Sequence, residues 1–318
     1  MTTLAIVHPT TLLGKELREN LGRHNASLPW QEIRLLSANE QEVGTLTDAG
    51  AAAAIVQRYE AGSLDGVAAV FFCGPAAATR PLLAEVPAPA TAVVLATDAG
   101  VEDGYPVVAG INSRPGSGAN ILLSPHPAVV LLAHLLHPLT AVCTPRQVTA
   151  TVIQPASILD EPGVEELFEQ TRQIVAMTER RRSSVFGAQL AFNLLPAARA
   201  TDAGAGIVAA LAAVLPAAPP LAVQLLQGGV FHGLAVSLHL RADGAPSVTA
   251  LRKALAASPY VAVAGDAGHL GPIDAAASDK VLLGPLRSDE QGIWIWAVVD
   301  NLTRGGALNA IEIAAAVN

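Results

Sequence analysis

The chain has 318 residues, 51% of them hydrophobic and 14% charged, so it carries enough apolar material for a large core and is no disordered polymer. Nineteen Lys and Arg against 27 Asp and Glu leave a net charge of −8, which argues against a surface that coats nucleic-acid phosphates. Apolar runs are broken by Pro, Gly or charge before they could cross a bilayer, the N-terminus lacks a signal-peptide layout, and the two cysteines and eight histidines show no ligand spacing, so neither a membrane span nor a metal site is expected and the protein is placed in the cytoplasm.

Length alone points to two domains at about 150 residues each. Residues 4–7 are apolar and lead through His8-Pro9-Thr10-Thr11 into leucines at 12, 13, 17 and 21, which predicts strand, turn and helix. Further strands are predicted over 33–36, 65–73 and 91–96. Apolar strands with few alternating polar positions, separated by helical segments, imply an α/β doubly wound parallel sheet in the first part of the chain. A helix is predicted over 125–137, with Ser124 as N-cap and Pro125 in its first turn. Beyond it the texture changes. Strands over 147–153, 221–225, 230–240 and 294–299 and helices over 164–179 and 207–215 fit a mixed or antiparallel sheet with helices on one side. Residues 216–220 form a loop, and 306–317 read as an amphipathic helix.

The run Trp296-Ala297-Val298-Val299-Asp300-Asn301-Leu302-Thr303-Arg304-Gly305-Gly306-Ala307-Leu308-Asn309-Ala310-Ile311-Glu312-Ile313-Ala314 is similar to the closing motif of aspartate-semialdehyde dehydrogenases. In family order, Phe71-Phe72-Cys73-Gly74 resembles Phe-Phe-Ser-Ala, Ala191-Phe192-Asn193-Leu194-Leu195-Pro196 resembles Ala-Phe-Asn-Val-Ile-Pro, and Ser278-Asp279-Lys280-Val281 with Gly284 and Arg287 resembles a further family segment. The resemblance implies a Rossmann-like NAD(P)-binding domain formed by 1–124 with 302–318. It also implies a central α+β dimerisation domain with a mixed sheet over 125–301, and a homodimer.

Enzymes of that family reduce an aspartyl phosphate with NADPH, or run the reverse, through a thioester on a cysteine at a helix start, where helix-end donors favour thiolate and oxyanion. Position by position, the resemblance breaks at the chemistry. Pro125 stands at the cysteine position, Leu234 at the general-base histidine, and Gln227 at the arginine that forks onto the substrate carboxylate. The phosphate-binding arginine falls near Val101, and the Glu-Glu-x-Lys segment has no counterpart within 201–206. Gln154 matches the family glutamine, and His232 beside the lost base is the other candidate for a residual site. The family's Gly-Ala-Thr-Gly-x-Val-Gly reads His8-Pro9-Thr10-Thr11-Leu12-Leu13-Gly14 and keeps only the third glycine, the one needed for close helix packing. Thr10 and Thr11 still offer hydroxyls to an anion. With Gly14 and Asn309 they are the candidate residues for weak binding of NADP.

The remaining features have plain structural readings. Cys73 after Phe-Phe is expected as a small buried hydrophobe, Arg180-Arg181-Arg182 as a solvated helix end, and Trp294 and Trp296 as neighbours on one sheet face packed at a subunit interface. The leading expectation is a catalytically inactive homodimer of the family. The alternatives are an NADP-dependent oxidoreductase acting on aspartate semialdehyde or a related acyl phosphate, and a nucleotide- or metabolite-sensing module that takes a small-molecule ligand.

Overall fold

The computed structural model describes residues 2–317 except 25–27, 51, 115–119, 179–182, 198–199, 244–245 and 266; the Arg180-Arg181-Arg182 run lies outside the described residues. The fold is α/β. It divides into two compact units, residues 1–126 with 306–318 and residues 127–305.

The first unit contains β1 (Thr3–Val7), α1 (Leu12–His24), β2 (Glu32–Ser37), β3 (Leu46–Ala49), β4 (Ala52–Ile55), β5 (Gln57–Arg58), β6 (Val67–Phe72), α2 (Ala76–Leu83), β7 (Thr91–Val94), β8 (Tyr105–Pro106) and β9 (Ile121–Leu123). Seven of these strands make one parallel, Rossmann-like sheet in the order β5-β2-β1-β6-β7-β9-β8, and β3 pairs with β4 in a separate hairpin. β1 is buried along its whole length, as expected for a central parallel strand covered on both faces. Leu13, Leu17 and Leu21 recur at helical spacing and bury one stripe of α1.

The second unit contains α3 (Pro127–Leu139), β10 (Thr144–Gln154), α4 (Asp160–Val175), β11 (Leu194–Pro196), α5 (Ala200–Val214), β12 (Leu221–Gly228), β13 (Leu234–Asp243), α6 (Val248–Ala256), β14 (Val261–Val263), β15 (Val281–Asp289) and β16 (Gly292–Val299). Its mixed sheet has the order β11-β12-β10-β13-β16-β15-β14; β10 with β12 and β14 with β15 run parallel, and the other pairs run antiparallel. Helices α3, α5 and α6 pack on this sheet and on one another. α3 is apolar around almost its whole circumference and is buried accordingly. A last helix, α7 (Leu308–Ala315), belongs to the first unit and packs on α1 and β7.

Five sequence expectations need correction. The helix predicted from Pro125 starts at Pro127. Ser124 extends the sheet instead of capping, its N–H donating to the Val94 carbonyl at 2.9 Å, and the α region is disfavoured for His126 because a proline follows it. The strand predicted from Val230 starts at Leu234, because Gly233 takes φ +86° and the carbonyls of Val230 and Phe231 turn toward the N–H groups of Ala156 and Ser157. His232 is therefore on an exposed turn and not on a strand. α7 is almost wholly buried and not amphipathic; even Asn309 is fully enclosed.

Candidate functional site

In the second unit, the candidate residues Gln154, Gln227 and Leu234 gather at one end of the mixed sheet. Gln154 and Gln227 are register partners at the carboxyl ends of the parallel strands β10 and β12, and both are buried. The Gln227 side-chain amide donates to the backbone carbonyls of Gln154 (3.1 Å) and Pro155 (2.8 Å). Its amide N–H groups are thus spent inside the protein. Gln227 is a neutral clasp that stitches two strand ends together.

Next to it, Gly228 and Gly229 admit the chain through a narrow place: a Cβ on Gly229 would stand 2.6 Å from the Leu190 carbonyl oxygen. The turn then reaches Gly233, whose left-handed backbone presses against Pro272, where a Cβ would meet the carbonyl oxygen at 2.3 Å. Asn301 fixes this approach, its side-chain oxygen accepting from the Gly233 N–H at 3.0 Å and its amide donating to Ser157 Oγ at 3.1 Å. Asp300 accepts from the N–H groups of Ala277, Leu302 and Thr303 at 2.7–3.0 Å. Leu234 follows Gly233 directly and points into the core, 0% exposed. A general base has to be within hydrogen-bond reach of the proton it takes, and no group at this position can accept one. His232 is exposed on the preceding turn. The scaffolding roles of Ser157, Asp300 and Asn301 escaped sequence reasoning. Their signal lay in the Asp-Asn pair of the closing motif, which holds a turn here.

In the first unit, Thr11 is the N-cap of α1: its hydroxyl accepts from the Gly14 N–H at 3.0 Å and is shared as donor between the carbonyls of His8 (3.2 Å) and Cys73 (3.1 Å). The hydroxyl expected to meet an anion is thus committed to the protein's own backbone. Thr10 lies half-buried in the same turn. Gly14 serves packing, since a Cβ there would stand 2.7 Å from the His8 carbonyl oxygen. The buried Arg18, which sequence reasoning passed over, donates to the Pro9 carbonyl at 3.1 Å and to Thr47 Oγ1 at 2.7 Å, so it braces the turn and the β3 strand. Asn309 is a rivet: it accepts from Ala109 N–H and donates to the Val107 carbonyl and to Ser124 Oγ, all within 2.9–3.1 Å. Pro125 is buried and offers no nucleophile. Cys73 is buried at the end of β6. Among the described residues no group of three His, Cys, Asp or Glu side chains could hold a metal ion, and no helix is long and apolar enough to cross a membrane.

Residues 136–304 match the family described as semialdehyde dehydrogenase, dimerisation domain. Over 220 residues the chain is 30% identical to a USG-1 protein homolog of Pseudomonas aeruginosa, and over 207 residues it is 25% identical to an aspartate-semialdehyde dehydrogenase of Rickettsia bellii. These matches cover 65% and 61% of this chain and the same shares of the relatives, in each case less than two thirds of the relative's length. The fold is similar to the structure of a probable aspartate-semialdehyde dehydrogenase from Pseudomonas aeruginosa, with a TM-score of 0.89 at 24% identity, covering 98% of this chain and 97% of that one.

Proposed function

The chain belongs to the semialdehyde dehydrogenase family through its dimerisation domain, and from that premise we propose that it is a homodimeric, catalytically inactive member. The observation that carries this reading is the buried clasp of Gln227 on the carbonyls of Gln154 and Pro155, next to a fully enclosed Leu234. Substrate carboxylate binding needs an available cation, and deprotonation needs a base; both places are filled by groups that serve folding. Pro125 supplies no thiolate at the third place. Groups that act as one catalytic unit cannot be lost together while the chemistry survives at a useful rate. The alternative of an NADP-dependent oxidoreductase on the same substrate requires those groups to be replaced from elsewhere.

Dimerisation is supported by the surface of the second unit. On the sheet face opposite α3, Trp294 and Trp296 are half-buried, Trp296 in one cluster with Ile153, and elsewhere on this unit Phe168, Val175 and Met177 stand exposed along and just after α4. Apolar area of this kind marks a contact surface.

The assay is phosphate-dependent reduction of NADP with aspartate semialdehyde by the purified chain. No turnover above background is expected. A rate within about a hundredfold of a typical kcat of ~10 per second would overturn the reading.

A further inference from the structure

The sheet of the first unit reverses its strand order at β1: β2 lies on one side and β6 on the other. In a doubly wound parallel sheet a dinucleotide sits outside the carboxyl ends of the strands at such a reversal, with the backbone of a glycine turn drawn up to its pyrophosphate. Here that place holds an imidazole. His8 follows β1 directly, and its side chain is 8% exposed. Its Nδ1 is 3.3 Å from Ser37 Oγ at the end of β2 and 3.7 Å from a carboxylate oxygen of Glu42. On the other side the ring lies over Gly74, just past the end of β6, so closely that a Cβ on Gly74 would stand 2.4 Å from Cδ2 and 2.8 Å from Cγ. The ends of three adjacent strands thus converge on one ring.

We infer that His8 is an internal plug: its side chain occupies the dinucleotide crevice of the first unit and excludes NADP from it. Two further observations support the assignment. His8 has φ +59°, a left-handed conformation that glycine adopts without cost and other residues rarely take, so a side chain stands at a backbone position suited to glycine. The sequence is also matched across the crevice. Position 74, where the resembling motif has alanine, is glycine here, and the space a methyl would take is the space the imidazole fills. Glu42 beside the ring adds a carboxylate to the same place, and its charge opposes the approach of an anionic ligand.

The inference does not depend on the missing catalytic groups. NADP binding without turnover would remove the plug and leave the inactive reading intact, whereas turnover would remove both. The test is titration calorimetry of the full chain with NADP, for the native protein and for His8→Gly, in which glycine takes the same backbone conformation without strain. Native protein should show no saturable binding below about 1 mM, and His8→Gly should bind at least about tenfold more tightly. Tight binding by the native chain, or a folded His8→Gly with no gain, overturns the proposal. A second variant covers the case in which His8→Gly folds poorly. His8→Ala also removes the ring and keeps a Cβ at this backbone conformation; it should likewise bind NADP at least about tenfold more tightly than the native protein, and a folded His8→Ala with no gain would overturn the proposal.

Discussion

His134 shows how far burial controls a single side chain. It is 0% exposed within α3, stacks on Tyr260 with ring centroids 4.5 Å apart, and neither ring nitrogen has a hydrogen-bond partner among the described residues. Burial, reinforced by the nearby Arg304 guanidinium and by His137, pushes its pKa from 6.5 down to about 3. The unfolded chain therefore binds a proton at a higher pH than the folded one. This group's contribution to stability is intact above about pH 6.5 and falls as the pH drops toward 3, by about 1.4 kcal/mol per pH unit. A His134→Phe variant keeps the stack and removes both unpaired nitrogens. It should raise the Tm at neutral pH, where unpaired buried polar groups cost about 1–3 kcal/mol, and flatten the acid limb of a Tm-against-pH curve. An unchanged acid limb would place the acid sensitivity elsewhere.

At the scale of elements, α7 depends on a polar rivet as much as on its apolar faces. Asn309 satisfies one N–H, one carbonyl and one hydroxyl from residues 107–109 and 124, all in the first unit, and is itself fully buried. Replacing it with the near-isosteric leucine would leave three buried polar groups without a partner. Asn309→Leu should therefore cost several kcal/mol, at about 1–3 kcal/mol for each group, although leucine is the better helix former. Chemical denaturation reads the change as a lower midpoint at unchanged slope. Loss of less than about 1 kcal/mol would mean that α7 is held by apolar burial alone.

For the whole molecule the decisive question is association. The face of β16 opposite α3 is not uniform. Trp296 is claimed by its own unit, its Nε1 donating to the Leu270 carbonyl at 2.8 Å, within a cluster that includes Ala235, Ala275 and Val298. Trp294 meets neighbours on its own sheet: His239 at 4.5 Å, the Arg287 guanidinium at 5.2 Å, and Asp289, which accepts from Nε1 at 3.2 Å. Trp294 is accordingly the sharper probe of an interface, since a charge at Trp296 would disturb the protomer itself. Sedimentation at micromolar concentration should show a native dimer, with Trp294→Glu shifted toward monomer while its circular dichroism is unchanged. A native chain that sediments as a monomer would refute the dimer.

The sequence by itself determined the fold class and the place of most strands, because apolar runs such as 4–7 and the period of Leu13, Leu17 and Leu21 are local signals set by burial on one face or two. It also fixed what Pro125, Gln227 and Leu234 can offer, because a side chain that lacks an ionisable group lacks it in any fold. It did not reveal where polar groups find partners. Asn309 and Ser124 are 185 residues apart and Gln227 and Pro155 are 72 apart, so only the folded chain shows that these groups bond to each other instead of to a ligand. Element boundaries moved for the same reason: Ser124 was drawn into the sheet by Val94, and β13 was delayed by the bond between Gly233 and Asn301. The loss of two glycines from the turn after β1 was legible in sequence, but its consequence was not. That the His8 ring lies against Gly74 across the strand-order reversal is a contact between residues 66 positions apart, made only when β1 and β6 pair.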